Sequence, residues 1–233
     1  MNEPRNSPDT DLDKLTRLKA LAWLSTPELR LLTGALALTS FKKHQIILHD
    51  TAPAAQAHIL LKGIARVTCQ NAHEQRVTVA LLAPGPIPEF PALPLSQADF
   101  QCEAYGDCRV GSLNWSAFNS ITPHGSEWAF QKFHEHDLQQ WYRLLLRNSG
   151  FLNLGLHDRI ANALLELAST FGIRESRGML LSASFSHQDI ANLVGASRPR
   201  VSEHLAQFEQ QHLIIRQGRQ LIVRVDQIEH WQN

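Results

Sequence analysis

Residues 187–214 read HQDIANLVGASRPRVSEHLAQFEQQHLI. Ile190, Ala191 and Val194 recur at helical spacing and stop at Gly195, where a glycine permits a left-handed turn. Ser197 follows as a candidate cap, with a hydroxyl able to accept from the first backbone N–H groups of a new helix. Pro199 falls in that helix's first turn, where its missing N–H is no loss. Val201, Leu205 and Phe208 then repeat at i, i+4 and i+7, the spacing of a buried stripe. The spacing predicts two short helices joined by a tight turn. The second helix turns Arg198, Pro199, Ser202 and Glu203 outward, with Ser197 and Arg200 flanking them near its N-terminal end. A recognition helix presents its polar end to the DNA major groove in this way.

Immediately downstream, LIIRQGRQLIVRV (213–225) alternates apolar and polar residues around Gln217-Gly218, a hairpin signal. A hairpin after such a helix pair is a wing, and Arg216, Arg219 and Arg224 are expected to face phosphates from it. A winged helix also serves protein contacts in some settings, and that alternative stays open on the residues alone. Over the whole chain 22 Lys+Arg balance 22 Asp+Glu, and over 186–233 five arginines balance five acids. No bulk field draws nucleic acid, so affinity is expected to rest on placement and on dimerisation. Beyond Lys132 every fixed positive charge is arginine, the better fork for guanine edges and phosphates.

Working back toward the N-terminus, residues 1–11 are polar and proline-bearing and are expected to be a disordered tail. LDKLTRLKALAWLS and TPELRLLTGALA predict two short helices, the second capped by Thr26 with Pro27 in its first turn. From Phe41 to Leu113 the period becomes two, with strands predicted in QIILHD, AHILLKGIARVTCQ, QRVTVALLA and DCRVGSLN. Several strands so spaced suggest an antiparallel barrel or sandwich. APGPIPEFPALPLS carries prolines at 84, 86, 88, 91 and 94 and is expected to be a loop. SEWAFQKFHEHDLQQWYRLLLRNSGF (126–151) predicts one long helix. Phe130, Phe133, Asp137, Trp141, Leu144, Asn148 and Phe151 fall near alternating steps of three and four, a seam expected to pair with its twin in a homodimer. LHDRIANALLELASTFG follows as another helix, and IRESRGMLLSAS reads as a turn-rich link.

Catalytic and metal chemistry leave no sequence trace. There is no G-x-S-x-G, P-loop or H-E-x-x-H, so no enzyme is expected. The 12 histidines show no zinc spacing, and no metal site is predicted. Three cysteines, Cys69, Cys102 and Cys108, do not make a secreted disulfide scaffold. With no signal peptide and no apolar run of about 20 residues, the expectation is a cytoplasmic protein with reduced thiols and no membrane partner.

FSHQDIANLVGASRPRVSEHL, the long helix before it and the strand-rich segment before that together resemble the cyclic AMP receptor protein and fumarate-nitrate regulator (CRP/FNR) family of bacterial transcription factors. The resemblance runs in order along nearly the whole chain. It implies an α+β protein: an N-terminal β-roll (a cyclic-nucleotide-binding-like jelly roll), a long dimerisation helix and a C-terminal winged helix-turn-helix. The implied boundaries are a β-roll sensor domain with flanking helices at 12–122, the dimerisation helix at 123–153 and the DNA-binding domain at 154–233. Double-stranded DNA with a palindromic operator, a second copy of the chain and, for an activator, RNA polymerase are the implied partners. Glu203 stands where the family usually has arginine, and His204 where it usually has an apolar residue.

The same resemblance places a cyclic nucleotide in the β-roll, held by a Gly-Glu pair and an Arg-Ser/Thr pair. Glu89 matches the ribose-binding position, but Pro88 replaces the glycine, and Ala98 and Asp99 stand where the arginine and hydroxyl belong. Losing the arginine forfeits a charge-assisted pair of about 1.5–3 kcal/mol, and Asp99 adds like charge beside a phosphate. Cyclic AMP is therefore not expected at the usual site. No cofactor is predicted, and the open alternatives are a cyclic dinucleotide, haem or a metabolite as effector, a partner protein, or no effector at all. An iron–sulfur cluster is not expected, since residues 1–40 contain no cysteine.

Overall fold

The computed structural model describes the backbone of residues 8–49, 56–70, 76–88 and 99–232, and at 8–10, 76, 99, 147–152 and 231–232 the backbone alone. The chain forms two compact units, 1–143 and 144–233.

In the first unit, helix α1 (Pro8–Thr16) begins inside the stretch expected to be a tail. Asp11 explains why. Its carboxylate is buried and accepts from Lys14 Nζ at 2.7 Å and from Arg109 Nη2 at 3.0 Å. A buried charge is tolerated only when paired, and this pair ties the helix to a strand 98 residues away. A single 3-10 turn (Lys19–Leu21) leads to α2 (Thr26–Ala35). The cap is Ser25, one residue earlier than expected: its N–H donates to the Glu28 carboxylate at 2.7 Å, the reciprocal half of a capping box.

The helix stops at Ala35, two residues before the pattern suggested, and Ala37–Phe41 is strand β1. Its partner decides this: Ala37 pairs with Ser112 and Phe41 with Cys108 on β8 (Cys108–Asn114). The intervening strands are β2 (Ile46–His49), β3 (Gln56–Lys62), β4 (Ala65–Gln70), β5 (Arg76–Leu82), β6 (Gly85–Pro86) and β7 (Asp99–Ala104). They form two antiparallel four-stranded sheets, ordered β1-β8-β3-β6 and β2-β7-β4-β5. β6 lies within the proline-rich segment expected to be loop, pairing Pro86 with Ile59 and Gly85 with Leu60. It occupies a sheet edge, where a residue without an N–H costs no ladder bond. Gly63, at φ +95°, turns β3 into β4; a Cβ there would sit 2.5 Å from the Asp107 carbonyl oxygen, so only glycine fits.

One apolar cluster, including Leu60, Val67, Leu82, Cys102 and Val110, fills the β-sheet region. A second, including Leu15, Leu32, Ile59, Phe118 and Phe133, packs the helices against it. None of the three cysteines is joined in a disulfide. Burial pushes the Cys102 thiol up to about 12, and a thiol held protonated is a poor nucleophile.

After a 3-10 turn (Trp115–Ala117) and the short α3 (Phe118–Ile121), α4 (Gly125–Asn153) runs for 29 residues, about 44 Å at 1.5 Å per residue. Part of the expected seam faces the chain's own core. Phe133 is buried in the chain's own core, with ring centroids 5.1 Å from Trp115 and 5.8 Å from Phe118. Asp137 is also buried, and half-buried Trp141 meets Phe100 edge-on at 6.3 Å. Phe130 is exposed and Leu144 half-buried. Asn148 and Phe151 lie outside the described side chains. Among the described residues, the large apolar side chains that α4 leaves exposed are Phe130, Leu138, Tyr142, Leu145 and Leu146. Steps of three and four suit either face of an amphipathic helix, so the choice fell to the aromatic packing within the chain.

The second unit is built on α5 (Leu156–Phe171), α6 (His187–Val194), α7 (Arg198–Gln210) and α8 (Val225–Gln232). Its sheet is ordered β11-β12-β10-β9, from β9 (Gly172–Glu175), β10 (Gly178–Leu181), β11 (Ile214–Gln217) and β12 (Gln220–Val223). The segment expected to be a link is the β9–β10 hairpin, because Met179 and Leu180 pair with Val223 and Ile222 of the wing. Ile160, Leu164, Leu181, Ile190, Leu205, Phe208, Ile222 and Ile228 form its fully buried core.

Candidate nucleic-acid interface

Helix α6 starts with a reciprocal cap: Ser186 Oγ accepts from Asp189 N–H at 3.1 Å, and Ser186 N–H donates to the Asp189 carboxylate at 2.8 Å. It ends at Gly195, whose φ of 62° and ψ of 48° are left-handed, while its N–H donates to Ala191 O. That bend aims α7 away from α6, as the glycine implied. Ser197 holds the N-cap position with φ −75° and ψ 146°, but its hydroxyl makes no capping bond; only its carbonyl is used, accepting from Val201 N–H at 3.1 Å. A proline near the helix start removes one of the donors that a cap would serve.

Val201, Leu205 and Phe208 are fully buried beneath α7. On the other side Ser197, Arg198, Pro199, Arg200 and Glu203 are exposed. Ser202 is half-buried and turned inward: its hydroxyl donates to Arg198 O at 2.9 Å and lies 2.7 Å from His187 Nδ1. With the hydroxyl proton spent on Arg198, His187 Nδ1–H is the donor in that contact. Its Nε2 is then the acceptor, 3.5 Å from Arg216 Nη2. Burial, then the positive charges of Arg216 and Arg198, hold His187 below its ordinary range. His187 thus links strand β11 to α7, and no periodicity marked it.

On the wing, Gly218 at φ 61° and exposed Arg219 form the tip between β11 and β12. Exposed Arg216 lies 3.7 Å from the Glu209 carboxylate. Arg224 is half-buried, and its guanidinium donates to His212 O at 3.3 Å. It lies just past the hairpin, where it ties down the turn after α7.

His204 replaces an apolar contact with a polar one. Its Nδ1 lies 3.2 Å from His157 Nδ1, and the His157 ring stacks on Phe208 at 4.3 Å with planes 16° apart. Burial, then the positive charge His204 gains on protonation, push His157 below its ordinary value of 6.5. A nitrogen-to-nitrogen bond needs one proton, not two. The folded state therefore holds protons on His157 and His187 less well than the unfolded chain does, so their contribution to stability is present above about pH 6.5 and is lost as pH falls. Urea titrations of the chain at pH 8 and pH 5.5 are expected to show a lower midpoint in acid. His204→Leu should reduce that difference, and an equal pH dependence in both proteins would contradict it.

In the β-roll, Pro88 is buried. Glu89 and Ala98 lie outside the described residues, and Asp99 is placed by its backbone only, opposite Gln70 at the start of β7. Among the described residues no group of three or more His, Cys, Asp or Glu side chains is arranged to hold a metal, and no helix is long and apolar enough to cross a membrane.

Comparison with known proteins agrees with both halves. A family profile described as a cyclic nucleotide-binding domain matches residues 38–123, and one described as a Crp-like helix-turn-helix domain matches 158–230. A curated relative, the CRP-like cAMP-activated global transcriptional regulator of Mycobacterium tuberculosis, is 32% identical over 93 residues. That match takes in 36% of this chain and 42% of the relative's length. FixK2 from Bradyrhizobium japonicum shares the fold at a TM-score of 0.66 and 19% identity, covering 84% of this chain and 96% of its own. A CooA mutant from Carboxydothermus hydrogenoformans gives 0.64 and 19%, covering 86% and 89%. With a cyclic nucleotide-binding domain, a long helix and a Crp-like helix-turn-helix in that order, the chain belongs to the CRP/FNR family, a family of transcription regulators rather than enzymes.

Proposed function

We propose that this chain acts as a homodimeric regulator that reads a twofold-symmetric operator with α7. The observation that carries this is the N-terminal end of α7, where Arg198, Pro199, Arg200 and Glu203 stand exposed over a fully buried Val201-Leu205-Phe208 stripe. Arg216 and Arg219 of the wing supply phosphate contacts. Two recognition helices about 34 Å apart would enter successive major grooves. The surface for dimerisation is the exposed apolar stripe of α4. The protein works in the cytoplasm, and RNA polymerase is its partner where it activates.

Binding-site selection on genomic DNA, followed by footprinting, tests this reading. A protected palindrome whose affinity falls steeply with salt supports it, because each neutralised phosphate adds about −0.9 to the slope of log K against log salt. No symmetric site, or a salt-independent interaction, would place the winged helix on a protein surface. Arg198→Ala is expected to weaken the selected operator by about 1–3 kcal/mol without changing chain stability. Glu203→Ala should act differently. A glutamate accepts from a cytosine amino group but repels phosphate, so selection with that variant should return an altered base at one position of each half-site. An unchanged consensus would remove Glu203 from the interface.

The β-roll is the sensor in this reading, for an effector other than cyclic AMP. Pro88 supplies no backbone N–H, and the chain has Ala98 and Asp99 in place of the phosphate-holding pair. A cyclic dinucleotide, haem or a metabolite would bias the paired α4 helices between two arrangements. The absorption spectrum of the purified protein and mass spectrometry of its extract identify the effector. Calorimetry showing sub-millimolar cyclic AMP binding coupled to operator affinity would overturn the exclusion.

A further inference from the structure

We propose that the first unit carries a second ligand site, a cationic cleft between the N-terminal turn and α4 that takes a small anion bearing two or more phosphate groups. The cleft encloses about 570 Å³, a size suited to a small molecule and too small for a duplex. Arg17 and Lys19 line one wall, Lys132 and Arg143 the other. Its one lining carboxylate, Glu135, already accepts from Lys132 Nζ at 2.8 Å. Among the described residues no carboxylate lies within the 4.0 Å ion-pair distance of Arg17, Lys19 or Arg143. These three side chains are exposed, and in a chain whose formal net charge is zero their convergence on one concavity is a local concentration of positive charge that attracts a multivalent anion.

The wall between them has a matching polar group. His136 Nε2 lies 3.3 Å from the Gln140 side-chain amide, which donates to it and leaves Nδ1–H as the imidazole's donor. Burial, then the positive charge of Arg143, hold His136 below its ordinary range. A polyanion in the cleft would cancel that second influence. Arginine forks and a lysine spread over two chain segments suit several phosphate oxygens better than one carboxylate. The floor includes Gly85 of β6, at the approach to the proline-rich segment, so an occupant would touch the N-terminal turn, the β-roll edge and α4 together. The site does not depend on whether α7 reads DNA.

Calorimetry of the full-length chain with inorganic pyrophosphate and, separately, with ADP, at ionic strength held constant with sodium chloride, tests this. One saturable site per chain with sub-millimolar affinity is expected. The exposed-residue variant R17Q/K19Q/R143Q should weaken it by about tenfold or more, while Arg30→Gln, outside the cleft, should not. If the triple variant does not fold, R143Q alone should still weaken binding. The His136 titration midpoint, followed by NMR, should rise on adding pyrophosphate to the native chain and stay fixed in the triple variant. Tighter ADP binding assigns a nucleotide, and equal binding a bare polyphosphate group; either supports the site. No saturable binding of either probe, equal loss in Arg30→Gln, or an unmoved His136 would overturn it. Operator binding measured in parallel reports on α7 independently.

Discussion

Replacing Leu138 and Leu145 by glutamate is expected to turn the protein into a monomer and to lower its operator affinity by on the order of 100-fold. The two side chains are 55% and 67% exposed, and Tyr142 between them is 62% exposed. At i, i+4 and i+7 they share one side of a helix. Large apolar side chains contiguous on a surface mark an interaction site, and a twofold pairing sets the same patch against itself. The double substitution would thus bring four carboxylates into one apolar seam, each uncompensated charge costing several kcal/mol. A monomer retains one recognition helix and loses the second half-site. Sedimentation equilibrium and fluorescence anisotropy on the selected operator read the two effects separately. A variant that keeps the oligomeric state of the native chain would overturn the assignment of this stripe as the dimer surface. Phe133→Ala offers the contrast: that side chain is 5% exposed within its own unit, so it should lower the stability of that unit and leave any dimer seam intact.

The contrast also shows what could be read in the sequence. Local signals were sufficient where one residue type answers to one backbone demand. Gly195 takes the left-handed turn, Pro199 enters the first turn of α7, and Val201, Leu205 and Phe208 are buried together. The β-rich middle was legible by its period of two. What escaped depends on partners distant in sequence. β1 and the β9–β10 hairpin are strands because Cys108–Asn114 and Val223 lie beside them. Pro8–Asp11 is helical because Arg109 neutralises Asp11. The same limit applied at the interface. Ser202 was legible as polar and on the outward side, but its inward bond to His187 required knowing where α6 would cross α7. Arg224 looked like its neighbours in the wing until the His212 carbonyl claimed it. Seven-residue spacing along α4 could not tell which face the Trp115 and Phe118 rings would cover.

Phe208→Ala is expected to cost the second unit about 3–5 kcal/mol. Its ring is completely buried and lies under His157 at 4.3 Å. It anchors the last turn of α7, and the Leu213 N–H donates to its carbonyl at 2.9 Å as the chain turns into the wing. Truncation therefore empties the space that the ring fills against His157 of α5, and partial collapse there would tilt α7. Single domains are stable by only about 5–15 kcal/mol, so operator binding should fall through loss of the folded unit as well as through misplacement of α7. Phe208→Leu keeps most of the volume and should cost less than about 1.5 kcal/mol. Urea unfolding of the three proteins, with operator affinity measured well below the transition, separates this from the Arg198→Ala effect. Arg198→Ala should lose affinity at full stability, whereas Phe208→Ala should lose stability first. A Phe208→Ala midpoint close to that of the native chain would mean that the buried stripe does not hold α7 in place, and the exposed tip of α7 would then have no rigid base from which to read DNA.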